Sequence, residues 1–323
     1  MPPLLVLNYD DVTRALPMSD CIEAMADILA AHARGEVYQP LRSVAIPPDG
    51  GGFIGLMPAQ SPDAYSLKSL VVIPDNPKRG LDSHQGTVTL FDGETGIPTA
   101  LLSASAITSI RTAAVSALAT RLLAREDASE LAVLGAGVQA RSHLQSLRLV
   151  RDFARVRVYA RTPEHVRKLA DEVDFPVEIA DSAEDAVRGA DVVVTATNSR
   201  EPVLEHEWLK EGAHVNAVGA SMPSARELHI ATVAAASLFP DNRESLENEA
   251  GEFIQATREG AIPGQDHVKA ELGEVAAGLH PGRTAQTELT LFRSLGLGIE
   301  DLAAAQVAVA HARSNGAGIE VDL

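Results

Sequence analysis

The hydrophobic pattern changes character along the chain, and the change predicts two different architectures. Between residues 39 and 99 short strand-like runs recur at 43–46, 52–56, 66–73 and 86–91. The clusters Pro47-Pro48-Asp49-Gly50-Gly51 and Pro74-Asp75-Asn76-Pro77 interrupt them, which predicts antiparallel sheet. Asp92-Gly93-Glu94-Thr95-Gly96 predicts a hairpin turn, its two glycines tolerating positive φ. Ahead of this region lie a strand at 4–7 and an Ala-rich amphipathic helix ending at Gly35, with Met18-Ser19-Asp20 offering caps. A long Ala/Ser/Leu helix at 103–124 follows it.

The middle of the chain alternates differently. Apolar runs at 131–134, 156–159, 177–179, 192–196, 214–218 and 236–239 are short, and helical stretches at 140–150, 163–173 and 183–189 separate the early ones. Short all-apolar strands between amphipathic helices predict a parallel sheet covered on both faces. The last part predicts helix, with 299–313 returning after Gly296-Leu297-Gly298. The fold class is therefore α/β: a Rossmann-type doubly wound parallel-sheet domain over 119–299, and an α+β domain over 1–118 that the segment 300–323 rejoins. A length of 323 residues suits two domains, at roughly 150 residues each.

Composition narrows the function. With 46% hydrophobic and 22% charged residues the chain is an ordinary globular one. Its 27 Lys+Arg against 44 Asp+Glu leave a formal charge of −17, which argues against nucleic acid and against anionic membranes as partners. The longest uncharged stretch, 95–110, contains Pro98 and falls short of the ~20 apolar residues of a spanning helix. Cys21 is the only cysteine, so neither a disulfide within the chain nor a thiolate metal cage is expected. His206, His214, His229, His267, His280 and His311 show no metal-ligand spacing, and no metal is expected. The N-terminus has no basic segment before its apolar run. These features predict a soluble, cytoplasmic protein.

The strongest local motif is Gly135-Ala136-Gly137-Val138-Gln139-Ala140, which runs directly out of Leu131-Ala132-Val133-Leu134 and into a helix. G-x-G-x-x-A between strand and helix is the context of a dinucleotide site. Gly135 permits the tight turn, Gly137 lets backbone amides approach a pyrophosphate, and small Ala140 lets helix pack on strand. The second strand ends in Ala160-Arg161-Thr162 with no carboxylate to accept from a ribose 2′-hydroxyl. Arg161 there suits a 2′-phosphate, with the Thr162 hydroxyl beside it, so NADP(H) is favoured and NAD(H) is possible. Thr195-Ala196-Thr197, at the carboxyl end of the fourth parallel strand, is expected to line the cofactor. Three basic residues stand apart in the acidic N-terminal half: Arg42, Lys68 and Arg111. Arg111 is conspicuous because Arg121 is the only other charge between Thr95 and Leu123. Its planar fork suits a carboxylate.

Several motifs, in order over essentially the whole chain, resemble the ornithine cyclodeaminase/mu-crystallin family. They are Phe91-Asp92-x-x-Thr95-Gly96-x-Pro98, Thr108-x-x-Arg111-Thr112-Ala113-Ala114, the glycine motif, Val215-Asn216-Ala217-Val218-Gly219-Ala220 and Leu291-Phe292-Arg293-Ser294-Leu295-Gly296. The resemblance implies a mainly β N-terminal domain that dimerises, a Rossmann domain, and an active site between them. It implies that Arg42, Lys68 and Arg111 hold a substrate carboxylate, and that Thr112, Val218, Gly219 and Ser294 join the cofactor-binding set. Two features depart from the family's cyclodeaminases. Ser221 occupies the place of an Asp that engages the amine, and Gly51-Gly52-Phe53-Ile54 lacks an early-strand Glu.

The chain thus looks closer to the ketimine reductase and mu-crystallin-like branch. The expected activity is NAD(P)H-dependent reduction of a small 2-imino acid, cyclic or linear, to the L-amino acid, with Lys68 or a water on Ser221 steadying the imine proton. Ornithine cyclodeaminase, an alanine dehydrogenase-like activity and non-catalytic ligand binding are the alternatives. A homodimer is expected. His84 reads as a packed, hydrogen-bonded histidine in preference to an acid/base group, Trp208 and Phe253 as core or interface residues, and the acidic run 244–252 as a solvated helix face in preference to a cation site.

Overall fold

The computed structural model describes residues 2–48 and 50–322. Met1 and Leu323, at the ends of the expected first domain, and Asp49 of the first Pro/Gly cluster lie outside the described residues. The chain forms two compact units, Met1–Arg111 with Gly296–Leu323, and Thr112–Leu295.

The first unit runs β1 (Leu4–Leu7), α1 (Tyr9–Ala15), α2 (Met18–Ala33), β2 (Ser43–Ala45), β3 (Phe53–Gln60), β4 (Ala64–Val72), β5 (His84–Asp92) and β6 (Pro98–Ser103), then into α3 (Ala104–Leu123). The division between the units falls inside α3. The sheet contains the run β1-β6-β5-β4-β3-β2; neighbours from β6 to β2 are antiparallel, while β1 pairs parallel with β6. The period-two alternation of β3 and β4 puts Met57, Ala59, Ala64, Ser66, Lys68 and Val72 inward. Lys68 therefore interrupts an inner face otherwise free of charge.

Three local expectations need correction. α1 was not foreseen; Asn8 starts it through a reciprocal capping box with Asp11. The N-cap of α2 is Pro17, so Ser19 and Asp20 sit within its first turn and do not cap it. In the β5–β6 turn only Gly96 has positive φ, at 69°. Gly93 is needed for close approach instead, since a Cβ there would press on the backbone of Asp63 and Ala64.

The second unit continues with β7 (Glu130–Leu134), α4 (Val138–Leu147), β8 (Arg155–Tyr159), α5 (Pro163–Asp171), β9 (Glu178–Ile179), α6 (Ala183–Val187), β10 (Val192–Thr195), β11 (His214–Ala217), α7 (Ile230–Ala235), β12 (Ser237–Pro240), α8 (Arg243–Glu249), α9 (Gly251–Arg258), α10 (Leu272–Ala276) and β13 (Thr290–Arg293). All seven strands are parallel, in the order β12-β13-β11-β10-β7-β8-β9. β7 lies near the middle, so the glycine motif leaves the sheet from a buried strand. β13 corrects the expectation of a wholly helical end. It inserts between β11 and β12, and its four residues are too few to show a period. The chain returns to the first unit as α11 (Gly298–Asn315), closed by Gly316 in the left-handed region, and β14 (Ile319–Val321) pairs antiparallel with β1. Among the described residues no helix is long and apolar enough to cross a membrane.

Candidate active site

In the first unit, α11 lies over the inner face of β3–β5 and presents two carboxylates to the inward lysine of β4. Lys68 Nζ donates to Asp301 Oδ1 at 3.0 Å. Arg111 Nε donates to the same oxygen at 3.1 Å, and its Nη1 to Glu300 Oε2 at 2.8 Å. All four side chains are buried. Arg42 Nη2 donates to the Gly296 carbonyl at 2.6 Å, and a Cβ on Gly296 would press on the Arg111 guanidinium. The three basic residues singled out by the sequence thus gather in one cluster. Burial lowers the Lys68 pKa to about 8, against the pull of Asp301 and with the push of Arg111 and Arg42. Burial also drives the Asp301 carboxyl upward, but Arg111 and Lys68 together outweigh it and hold the group below its usual range. The pair is therefore charged at neutral pH. Cys21, buried nearby on α2, is pushed up to about 12 by desolvation and stays a neutral thiol. Lys68 and Arg111 thus face Glu300 and Asp301 as two buried cations against two buried carboxylates, with half-buried Arg42 alongside.

Glu300 and Asp301 are what the sequence reading missed. They occupy the first turn of α11, where acids are common because they suit the helix dipole. The available signal was their isolation: no other charge follows before Arg313, and His311 is the only titratable residue between.

In the second unit, the glycine motif builds a cradle. Gly135 has φ of 123°, and a Cβ on it would overlap the Ala196 carbonyl. Its amide donates to the Tyr159 carbonyl at 2.8 Å. Gly137 is the N-cap of α4, makes no side-chain cap, and a Cβ on it would meet nothing within 4 Å. The first amides of a ten-residue helix are thus left open where an anion is favoured. Ala140 is fully buried under the helix, and Ala136, Val138 and Gln139 complete the turn. These residues fit a dinucleotide pyrophosphate. Arg161 and Thr162 are exposed beyond β8, beside half-buried Ala160. Arg161 makes no hydrogen bond or ion pair among the described residues, so its fork stands free for an anion.

Thr195, Ala196 and Thr197 leave the carboxyl end of β10, and Val218 and Gly219 leave that of β11. A further buried acid joins these segments. Glu227 Oε2 accepts from the Thr195 hydroxyl at 2.9 Å and the Gly219 amide at 2.6 Å. Its Oε1 accepts from the Thr197 amide and hydroxyl, both at 2.7 Å. Glu227 lies in a segment without periodic pattern, and nothing in the sequence marked it.

Buried Ser294 is tied by its amide to the Ala217 carbonyl at 3.0 Å, and Thr112 is buried on α3. Ser221 is exposed in the loop after β11, and its hydroxyl has no hydrogen-bond partner among the described residues.

The acidic run needs correction too. Glu244 and Glu247 are exposed as expected, but Glu249 and Glu252 are buried, and Glu252 pairs with buried Arg293. Arg293 also donates to the carbonyls of Ala217, Ala220 and Ser294. His84 is exposed on β5, its ring bonded to Ser83. His143 and His214 are buried and hydrogen-bonded, and burial lowers them to about 4 and about 3. They are neutral packing groups at neutral pH.

Known proteins resemble this chain over most of its length. Mouse ketimine reductase mu-crystallin is 42% identical over 275 residues, 84% of this chain and 85% of the mouse protein. The structure of Thermococcus litoralis delta(1)-pyrroline-2-carboxylate reductase in complex with NADH and L-proline superposes with a TM-score of 0.95. It is 36% identical and covers 98% of this chain and 100% of that one. An archaeal alanine dehydrogenase dimer with bound NAD gives 0.93 at 33% identity, covering 99% of each chain. The model of the ornithine cyclodeaminase/mu-crystallin family matches residues 4–316, and with this coverage the chain belongs to that family.

Proposed function

We propose that this protein is an NAD(P)H-dependent reductase of a small 2-imino acid, cyclic or linear, that forms the L-amino acid. The observation that carries the reading is a buried cluster in which Arg111 and Lys68 are already oriented by Glu300 and Asp301, with Arg42 beside them. A substrate carboxylate would be compensated there by the guanidinium and ammonium groups, as a charge in a dry site must be. Arg111 and Arg42 supply planar forks that match a carboxylate, and Lys68 adds a compact ammonium. Glu300 and Asp301 hold these groups before substrate arrives, which lowers the ordering cost of binding. Lys68, with a pKa of about 8, holds a proton at Nζ at neutral pH and is suited to keep the imine nitrogen protonated. Ser221, a neutral hydroxyl, can orient a water or the nitrogen but is no base at neutral pH.

The phosphate cradle of Gly135–Ala140 and the segments 195–197 and 218–219 would hold the coenzyme, which supplies the hydride when bound. Exposed Arg161 and Thr162, with no carboxylate after β8, favour NADP(H) over NAD(H). The outer face of the first unit's sheet leaves Ile54, Leu56, Tyr65 and Val71 exposed. Because β3 and β4 pair Ile54 with Val71, these residues share one face, and a second copy would cover it in a homodimer. Sedimentation at micromolar concentration should show twice the 34.1 kDa chain mass; a monomer alone would remove the dimer. The setting is cytoplasmic.

The decisive experiment is a panel of pyrroline-, piperideine- and pyruvate-derived imines with NADPH and NADH. The expected result is coenzyme oxidation with at least one imine and formation of the L-amino acid. No oxidation with any of them would sink the reductase. L-ornithine converted to proline and ammonia without net coenzyme change would make the protein a cyclodeaminase.

A further inference from the structure

Glu227 is a buried acid for which neither the fold nor the proposed chemistry has an evident need. Its side chain is almost fully buried, and among the described residues no Lys, Arg or His lies within ion-pair distance of it. Burial pushes its pKa up, against the pull of its hydrogen bonds to Thr197 and Thr195. Four hydrogen bonds converge on its two oxygens, two from backbone amides and two from threonine hydroxyls. A buried acid with no ion pair of its own is costly, and an apolar residue of similar volume would serve packing better.

What Glu227 binds gives the reason. Thr195 and Thr197 belong to the segment after β10, and Gly219 to the segment after β11. These are neighbouring strands of a parallel sheet, and ligands bind at this carboxyl edge. The segment after β10 is squeezed from both sides. A Cβ on Gly135 of the phosphate loop would overlap the Ala196 carbonyl, and a Cβ on Gly219 would overlap the Thr197 carbonyl. Glu227 holds the Thr197 backbone in that gap. Its own backbone is fixed as well, since its carbonyl accepts from Val203 at 2.7 Å and Leu204 at 3.1 Å. On the other side of the segment after β11, Arg293 ties down the carbonyls of Ala217 and Ala220.

We propose that Glu227 is a positioning residue for the coenzyme: it sets the spacing of the segments 195–197 and 218–219 against the phosphate loop, without being a catalytic residue. This inference rests on the reading that the second unit binds NAD(P)H. Replacing Glu227 by Gln swaps one acceptor for an amide donor, which would face either the Gly219 or the Thr197 donors and drive them apart.

The test measures NADPH and NADH affinity by nicotinamide fluorescence, and steady-state kinetics in both substrates, for the wild type and for Glu227→Gln. Gly219→Ala disturbs the same gap while leaving the carboxylate intact, and it serves if Glu227→Gln does not fold. The expected result is a rise of at least tenfold in coenzyme Kd and KM for either folded variant, with the KM of the imino acid within twofold. A merely structural residue would lower the active fraction, reducing kcat with coenzyme KM unchanged, and that outcome overturns the proposal. If the wild type binds neither coenzyme, the failure belongs to the reading of the second unit, and the inference falls with it.

Discussion

Each unit buries charge, and Lys68 in the first and Glu227 in the second are accommodated in opposite ways. In the first, cations are buried with anions: Lys68 and Arg111 share Asp301, and Arg111 also takes Glu300. In the second, which also holds the buried pair Glu252–Arg293, Glu227 takes its hydrogen bonds from hydroxyls and amides alone. A cluster that gathers several cations can compensate a further anion, so on the proposed function it suits a ligand recognised by its carboxylate. A carboxylate saturated by neutral donors accepts nothing more; it can only fix the backbone that donates to it. Close to it, the phosphate cradle works by omission, with Gly137 leaving helix amides uncovered. On the proposed function, substrate recognition is built from side chains, and coenzyme recognition largely from backbone.

Mutations that separate the two sites test this contrast most severely. Arg111→Ala should lower kcat/KM for the imine by about 10²–10³-fold, the range for removing one member of a buried charge pair at ~3–4 kcal/mol. Coenzyme Kd should stay within twofold, and a parallel loss of coenzyme binding would contradict the division of labour. The same variant should unfold more easily by roughly 3 kcal/mol, because Glu300 and Asp301 lose a partner.

The glycines offer the converse experiment. At Gly137 the backbone is ordinary and the space open, so Gly137→Val should leave the melting temperature nearly unchanged while weakening coenzyme binding about 100-fold. Gly135→Ala should cost stability as well, since φ is positive and the Ala196 carbonyl is in the way. Equal coenzyme affinity of Gly137→Val and wild type would mean that the cradle is not used.

A pH profile sharpens the account of the charged cluster. Lys68 is competent when protonated, and its pKa is lowered to about 8. Activity should therefore be full below that pH and fall about tenfold per unit above it. In Lys68→Arg the alkaline limb should disappear, because a guanidinium stays charged throughout; an unaltered limb would assign it to another group.

The smallest expected effect is on coenzyme choice. Arg161→Ala should reduce kcat/KM with NADPH about tenfold and leave NADH within twofold, a difference of ~1.4 kcal/mol that suits one exposed charge-assisted contact. Equal loss with both coenzymes would place Arg161 over the adenine instead of a 2′-phosphate.

Much of the fold was legible because it rests on local pattern. The short apolar strands, the strand-glycine-helix motif and the long Ala/Ser/Leu helix 104–123 need only neighbouring residues to be read. So does the isolation of Arg111, which drew attention to the charged cluster. The misses at β13 and among the buried charges share one physical cause. β13 has only four residues, all buried, and its place between β11 and β12 depends on strands far away in the chain. Glu252 lies in an acidic run that reads as solvated until Arg293, 41 residues later, is folded beside it. The bond between Lys68 and Asp301 spans 233 residues, and that between Arg111 and Glu300 spans 189. The sequence by itself determined most of the elements and the first candidates for chemistry, because spacing and residue type act within a few positions. Tertiary structure alone decided how the charges are compensated, because burial and electrostatic pairing depend on distance in space and leave no period along the chain.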